Sequence, residues 1–296
     1  MRLSTCFAGL LLILAACSGG KSETKQRPLV ISAIPDQDPE KLQRLYGTVA
    51  SYLSKSLGVP VEYKPLTDYK AAVTAFRVGD LDLVWFGGLT GVQARLQVPT
   101  AQAILQRDID EHFKSVFVAN ATSGIKELSQ LKGRTFTFGS ETSTSGRLMP
   151  QKFLEDSGIR LGDFKGSPGF SGSHDKTIAL VTAGTFEAGV VNEQVWKKRS
   201  EEGAVDASRI QAIWTTPTYH DYHWLLHPQV EERFGADMRS KLVAAFTKLS
   251  TTDPEQNTIL DLFGATRMIP SSNDNYKDIE AVGRAAGLIV TEHAQK

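Results

Sequence analysis

The chain has 296 residues, and its 33 Lys and Arg balance its 33 Asp and Glu, so the formal net charge is zero. A nucleic-acid-binding surface needs a basic stripe, and the one notable basic cluster, Lys197 to Arg199, is followed at once by Glu201 and Glu202. We therefore expect no nucleic-acid partner. The length suits two domains of ordinary size.

The N-terminal residues have the pattern of a secretory signal. Arg2 precedes an apolar run from Cys6 to Ala16, which is too short to span a bilayer and ends in small residues. The sequence Leu-Ala-Ala-Cys at 14–17 resembles a bacterial lipobox. It predicts a signal peptide over 1–16, a lipid on Cys17 and a tether over 17–27, with an incidental cysteine in an ordinary signal peptide as the alternative.

These assignments account for both cysteines of the chain, Cys6 and Cys17. The predicted mature body then has no thiol, which excludes disulfides, cysteine nucleophiles and zinc–thiolate sites. We expect an extracytoplasmic protein, in the periplasm or at the cell surface, that is held to the membrane by its lipid.

Strands and helices alternate in the first part of the chain. Short β-rich runs predict strands at 29–34, 61–66, 81–86 and 101–106. Helical spacing of apolar residues predicts a helix after each of the first three, and the first helix begins at Asp38-Pro39 and ends at Gly58. Such alternation with short connections is typical of a parallel sheet covered by helices.

A fifth apolar run lies at 115–119, and a second cycle of the same kind follows it. The strands of this cycle are predicted at 135–138, 188–192 and 210–214, with one more strand at 223–226 before a helical tail. The fold class is therefore α/β, with 28–121 and 216–296 in lobe 1 and 122–215 in lobe 2. A hinge near Ala121 and Thr216 would join the lobes, and the cleft between them is a usual place for a small ligand.

The segment from Gly139 to Arg147 carries four consecutive hydroxyl residues, Thr142 to Ser145, between a predicted strand and a predicted helix. Unpaired backbone N–H groups and the positive end of the helix dipole make such a junction suitable for an anion. Ordinary helix capping is the alternative, although one hydroxyl would be enough for a cap.

Several dispersed pieces occur in an order that identifies a family. They are Ile34-Pro35, Thr67 to Tyr69, Asp80 to Gly87, Leu128 to Arg134, Ser143 to Gly146, Gly172 to His174 and Pro217 to Trp224. In these pieces the chain resembles the solute-binding proteins of phosphonate, phosphite and phosphate ABC importers, over nearly all of the predicted mature chain. The resemblance implies the two-lobed type II periplasmic binding fold, a small tetrahedral oxyanion as ligand, no cofactor, a monomer, and an ABC permease with its ATPase as partners.

The resemblance also implies the residues that bind the ligand. Ser143, Thr144 and Ser145 would hold the oxyanion with hydroxyls and backbone N–H groups. Tyr69 and His174 would add hydrogen bonds. Three further positions match ligand-facing positions of the family: Thr90, Glu193 and Asp221.

Each of these three has a different expected role. Thr90 lies at a helix start that offers backbone donors. Asp221 faces the ligand. It would accept a hydrogen bond from an O–H group if the ligand keeps a proton. Glu193 matches a position that, in phosphonate binders, meets an amino group of the substituent.

Departures from the commonest pattern of phosphonate binders occur at Gly87 to Arg95, Ile34 to Asp38 and Tyr219 to Trp224. They resemble a branch often labelled as selenate binders. A receptor for selenate or another oxyanion is therefore an alternative, as is a sensory module on the same fold.

Other interpretations of single residues are open. His220, His223 and His227 could suggest a metal site, but in a loop and strand they would point in different directions. Tyr69 could be a core residue. Arg147 could pair with the anion, but a position on a helix surface is expected for it. We expect no enzyme, because the sequence has no Gly-x-Ser-x-Gly elbow, Walker loop or His-Glu-x-x-His motif.

Overall fold

The computed structural model describes residues 27–290. The predicted signal peptide and the lipidation of Cys17 lie outside the described residues. None of the described helices is long and apolar enough to cross a membrane.

The described chain forms eleven strands and ten α-helices. The strands are β1 (Leu29–Ala33), β2 (Val61–Tyr63), β3 (Leu83–Phe86), β4 (Gln102–Arg107), β5 (Ser115–Asn120), β6 (Phe136–Phe138), β7 (Gly169–Phe170), β8 (Ala188–Asn192), β9 (Ile210–Thr215), β10 (His223–Leu226) and β11 (Met268–Pro270). The helices are α1 (Pro39–Leu57), α2 (Tyr69–Arg77), α3 (Gly88–Gln97), α4 (Met149–Asp156), α5 (His174–Thr182), α6 (Glu193–Glu201), α7 (Gln229–Phe234), α8 (Met238–Thr247), α9 (Pro254–Phe263) and α10 (Lys277–Ala285).

The strands form two separate sheets, each with its own core. The sheet of lobe 1 has the order β11-β4-β10-β3-β1-β2, and that of lobe 2 has the order β7-β6-β8-β5-β9. In lobe 1 the large buried side chains include Tyr46, Phe76, Phe86 and Trp224, which pack in one cluster. In lobe 2 two smaller clusters cover the opposite faces of the sheet. This arrangement confirms the predicted two-lobed α/β fold.

Both sheets are mixed, whereas the alternation of elements had predicted parallel sheets. In lobe 1, β1 pairs in parallel with β2 and β3, but β10 is antiparallel to its neighbours β3 and β4. In lobe 2, β5 is antiparallel to β8 and β9. The reversed strands are β5 and β10, which the chain forms directly after it crosses from one lobe to the other, and β11, which is antiparallel to β4.

The crossing also corrects the predicted lobe boundary. We expected 115–119 to belong to lobe 1, but β5 pairs with β8 and β9 and is therefore part of lobe 2. The chain first passes from lobe 1 to lobe 2 just before Ser115. This connecting segment pairs with the segment that follows β9, where the chain returns to lobe 1. Phe113 and Tyr219 exchange two backbone hydrogen bonds of 2.9 and 3.0 Å, and Ser115 N–H donates to Thr216 Oγ1 at 2.9 Å. The hinge is thus a pair of antiparallel segments.

Local sequence sets the helix boundaries as predicted. The Asp38 carboxylate caps α1 by accepting from the N–H groups of Glu40 and Lys41, and Gly58 ends it with a φ of 70°. A left-handed φ at this position favours glycine, because it has no Cβ to collide with the preceding turn. Asp68 caps α2 in the same way, through the N–H of Ala71. Tyr69 therefore stands at a fixed place in the first turn of α2.

Two glycines of lobe 1 helices give a matched prediction on stability. A Cβ on Gly91 of α3 would overlap the imidazole of His223, which is 1% exposed. Gly47 of α1 has no atom within 4 Å of the place a Cβ would take. We expect Gly91→Ala to lower the free energy of unfolding by about 1–3 kcal/mol. Gly47→Ala should raise it by about 0.5–1 kcal/mol. Denaturant unfolding of both variants measures the difference, and equal effects would contradict the packing described here.

Candidate functional site

The hydroxyl-rich segment forms a cradle at the end of β6. Ser143 Oγ accepts a hydrogen bond of 2.9 Å from Gly146 N–H, and the chain continues through a wide π-helical turn, Thr144–Leu148, into α4. A Cβ on Gly146 would lie 3.0 Å from Ser143 Oγ and 3.2 Å from His174 Cε1, so the turn packs closely against both side chains. The turn thus brings the Ser-Thr-Ser hydroxyls and His174 to one place.

Lobe 1 contributes the start of α3 to the opposite side of the cradle. Gly88 N–H donates to Asp221 Oδ1 at 2.9 Å, and Leu89 N–H donates to Thr144 Oγ1 at 2.9 Å. The second of these bonds crosses from one lobe to the other. These two donors of the helix start, which we expected to serve the ligand, are therefore already used by side chains in this structure.

Thr90 itself has a local role. Its hydroxyl donates to the carbonyl of Gly87 at 3.1 Å, within the first turn of α3, and the side chain is 1% exposed. The structure places it next to the donors of Gly88 and Leu89 but uses its hydroxyl inside the helix. Its role in ligand binding stays a prediction.

Six buried polar atoms in and around the hydroxyl-rich segment have no hydrogen-bond partner among residues 27–290. Four are Tyr69 Oη, Ser145 Oγ, His174 Nε2 and Asp221 Oδ2, and the other two are Thr142 Oγ1 and Arg147 Nη1. The side chains of the first four are at most 2% exposed. A buried polar group without a partner costs about 1–3 kcal/mol, so native proteins rarely leave one unexplained. Four at one place indicate a site that is completed by a polar ligand.

Neighbouring contacts show that these atoms belong to one site. The Tyr69 phenol lies beside Ser143, and the Asp221 carboxylate lies beside Thr144 and Ser145. A Cβ on Gly87 would lie 3.2 Å from both Asp221 Oδ1 and Thr144 Oγ1. Tyr69 was open to interpretation as a core residue, and the structure shows both features: a ring buried in lobe 1 and a hydroxyl at the cradle.

His174 is set up as a neutral donor. Burial lowers its pKa to about 4, so the imidazole is uncharged at neutral pH. Asn192 N–H donates to His174 Nδ1 at 3.3 Å, which makes Nδ1 the acceptor nitrogen of the ring. In the neutral ring the other nitrogen then carries the proton. The unpartnered Nε2 is therefore an N–H donor.

Asp221 has the opposite character. Burial raises its pKa to about 7, and the hydrogen bond from Gly88 N–H opposes this shift only in part. Near neutral pH the carboxyl therefore exchanges between its protonated and ionised forms. Its second oxygen can accept a hydrogen bond from a protonated ligand or donate one to an ionised ligand.

Sequence reasoning missed three buried residues next to the cradle: Asp36, Asn192 and Tyr222. Tyr222 Oη donates to Asp36 Oδ2 at 2.8 Å, and Asn192 Nδ2 donates to Tyr222 Oη at 3.2 Å. His174 N–H donates to the carbonyl of Asp36 at 3.0 Å. The only available signal was position, because Asn192 and Tyr222 each stand next to a predicted ligand residue.

Glu193 and Arg147 lie in environments different from the cradle. The Glu193 carboxylate is 38% exposed and 3.8 Å from Lys114 Nζ, so its role with an amino substituent stays a prediction. Arg147 was expected on a helix surface, which is wrong, because it is 9% exposed. Its guanidinium lies 4.5 Å from the ring centre of Phe138 and 5.4 Å from that of Phe170. A cation stacked on aromatic faces can be buried where an isolated one could not.

The three histidines near the second crossing do not form a metal site. Within residues 27–290 no group of three His, Cys, Asp or Glu side chains could hold an ion. His223 is buried against Tyr276, with ring centres 4.0 Å apart, whereas His227 packs on Phe76 at 5.1 Å. His223 begins β10 and His227 directly follows its last residue, so the length of the strand separates the two rings.

Comparisons with known proteins show the family to which the chain belongs. The sequence model of a family described as "ABC transporter, phosphonate, periplasmic substrate-binding protein" matches residues 31–276. The chain is 48% identical over 268 residues to the probable ABC transporter phosphite binding protein PhnD1 of Prochlorococcus marinus, covering 88% of this chain and 90% of that protein. It is 26% identical to the phosphate-import protein PhnD of Mycolicibacterium smegmatis, with 72% of each covered.

A solved structure is similar over the same region. The Prochlorococcus marinus PhnD1 structure in complex with methylphosphonate has a TM-score of 0.86 and 47% identity, and the match covers 88% of this chain and 98% of that one. The family predicted from the dispersed motifs is thereby confirmed, and with it the role in transport and the extracytoplasmic location. The chain belongs to the family of periplasmic substrate-binding proteins of phosphonate ABC transporters.

Proposed function

We propose that this protein binds phosphite or a small phosphonate such as methylphosphonate, as a singly protonated anion, in the closed cleft between its lobes. The observation that carries the proposal is the set of four unpartnered buried atoms around the Ser143–Ser145 cradle. Three of them, on Tyr69, Ser145 and His174, are suited to donate, and Asp221 is suited to accept. The names of the similar Prochlorococcus marinus protein and of its complex support the same ligand class.

The chemistry of the four groups fits such an anion. Neutral donors stabilise an oxyanion through charge-assisted hydrogen bonds of about 1.5–3 kcal/mol each, without a buried positive charge. Three such bonds contribute about 4.5–9 kcal/mol before the cost of association, so only the upper end of this range reaches the roughly 8 kcal/mol of a micromolar Kd. The Arg147 guanidinium, whose Nη1 is also buried without a partner, stacks on Phe138 and Phe170 two residues beyond Ser145.

Asp221 provides selectivity. A phosphite or phosphonate monoanion keeps one O–H group, which can donate a hydrogen bond to the carboxylate. Sulfate and selenate are fully ionised near neutral pH and have no proton to offer, so an ionised Asp221 would repel them and only its protonated form could bind them. This contrast favours phosphorus oxyanions over the selenate alternative.

Closure of the lobes would present the bound ligand to a permease. In the structure Asp38 N–H donates to Asp175 Oδ2 at 2.8 Å and Leu89 N–H donates to Thr144 Oγ1 at 2.9 Å, and both bonds join the lobes. An ABC permease and its ATPase that recognise this closed form would receive the anion. In the full proposal Cys17 carries the lipid, and the residues up to Arg27 tether the receptor to the membrane beside the permease.

Titration calorimetry tests the proposal with phosphite, methylphosphonate, aminoethylphosphonate, phosphate, sulfate and selenate. Phosphite or methylphosphonate should bind with a Kd of about micromolar or lower, and sulfate and selenate about 100-fold more weakly or worse. Aminoethylphosphonate also tests Glu193. Tightest binding of selenate, or no binding below millimolar for any of the six, would refute the proposal.

A further inference from the structure

A second chamber lies next to the anion site in the interlobe cleft. It has a volume of about 440 Å³ and opens between α1 and α9 of lobe 1 and α6 of lobe 2. Its inner end is lined by Asp36, Trp85, Asn192 and Tyr222, and its outer part by residues that include Lys41 and Lys198. The proposed role of the anion cradle does not use this space.

The inner end of the chamber is a continuous hydrogen-bonded wall. Asn192 Nδ2 donates to Tyr222 Oη at 3.2 Å, which in turn donates to Asp36 Oδ2 at 2.8 Å. Exposure of the three residues is 2%, 3% and 4%, in that order. The ring of Tyr222 is stacked on Trp85 at 5.8 Å, so the phenol is held in place from lobe 1.

The same three residues border the anion site on their other side. Asn192 N–H donates to Nδ1 of His174, and the carbonyl of Asp36 accepts from the N–H of His174. Tyr222 directly follows Asp221 in the sequence. Asp36 and Tyr222 belong to lobe 1 and Asn192 to lobe 2, so the wall is complete only when the lobes close.

We propose that the side chain of Asn192, within the wall that it forms with Tyr222 and Asp36, limits the size of the substituent on the bound phosphorus atom. In this proposal the wall leaves room for a hydrogen atom or a methyl group, whereas a longer alkyl chain would have to pass between Asn192 and Tyr222 into the chamber. This inference rests on the proposed function. It assigns the limit on substituent length to the side chain of Asn192. When this side chain is shortened, phosphonates with longer substituents should be able to extend into the chamber.

Asn192→Ser is the informative variant. Asn192 Oδ1 caps α6 by accepting from Val195 N–H at 2.6 Å, and serine can cap a helix in the same way while removing the amide from the wall. Calorimetry with methylphosphonate and propylphosphonate compares the native protein with the variant. The native protein should prefer methylphosphonate by about 100-fold, and Asn192→Ser should reduce this preference to about tenfold or less.

Tyr222→Phe serves as the control because it keeps the ring on Trp85 and removes only the hydroxyl. Both affinities should fall in this variant, since the bond to Asn192 that helps to close the lobes is lost. The preference for methylphosphonate should stay within about threefold of the native value. Melting curves establish that each variant is folded before it is titrated.

The possible results separate cleanly. An unchanged preference in folded Asn192→Ser would overturn the assignment of Asn192, and so would an equal loss of preference in Tyr222→Phe. If the native protein bound propylphosphonate as tightly as methylphosphonate, this result alone would overturn the proposed limit on substituent size. Failure of the native protein to bind phosphite and methylphosphonate would instead overturn the proposed function, and this inference with it.

Discussion

Replacing Ser145 by Ala is expected to weaken the binding of phosphite or methylphosphonate by about 10- to 100-fold, which corresponds to one lost charge-assisted hydrogen bond of about 1.5–3 kcal/mol. The free energy of unfolding of the unliganded protein should stay unchanged or rise slightly. The reason is that Ser145 Oγ is buried and has no partner among the described residues. Removing it therefore costs nothing in the empty protein. Calorimetry and denaturant unfolding measure the two effects.

Ser143→Ala is the matched control, because it removes a hydroxyl from the same cradle that does have a partner. Ser143 Oγ accepts from Gly146 N–H, so its loss leaves a buried donor unsatisfied. The unliganded variant should lose about 1–3 kcal/mol of stability. If Ser145→Ala destabilised the empty protein as much as Ser143→Ala, Ser145 would have a structural role rather than the proposed role in binding.

Affinity for the same ligands is expected to fall by about tenfold for each pH unit above roughly pH 8. At such pH values both the Asp221 carboxyl and the free ligand have lost their protons. The complex holds one proton between Asp221 and the anion. Burial raises the pKa of Asp221 to about 7, and a phosphate-type group releases its second proton at a pKa of about 6. At higher pH both free partners are ionised, so binding must take up a proton from solvent. Titrations in buffers with different enthalpies of ionisation would measure this uptake directly.

Asp221→Asn is the control for this pH dependence. The amide does not ionise, and its NH₂ group can donate to a doubly charged anion. The decline at alkaline pH should therefore disappear, and the preference for phosphite over sulfate should shrink. An alkaline decline in Asp221→Asn as steep as in the native protein would show that the proton belongs to another group.

The sequence by itself determined the class of the fold and the place of the cradle. Alternating strand and helix patterns predicted two αβ cycles, since burial on two faces requires apolar strands and the caps fix where helices begin. The junction at Ser143 to Gly146 was identified because local composition there exceeds what a helix cap needs. His174 and Asp221 came from the resemblance to the family.

Only the tertiary structure decided the features that depend on contacts distant in sequence. Strand β5 belongs to lobe 2 because of its partners β8 and β9, which no local pattern in 115–119 could reveal. The surface placement expected for Arg147 failed because Phe138 and Phe170 cover its guanidinium. The protonation of His174 and Asp221 depends on burial by both lobes, and the wall of Asp36, Asn192 and Tyr222 exists only where the lobes meet. Burial and pairing are properties of the folded chain, so they become visible only when residues far apart in sequence are placed side by side.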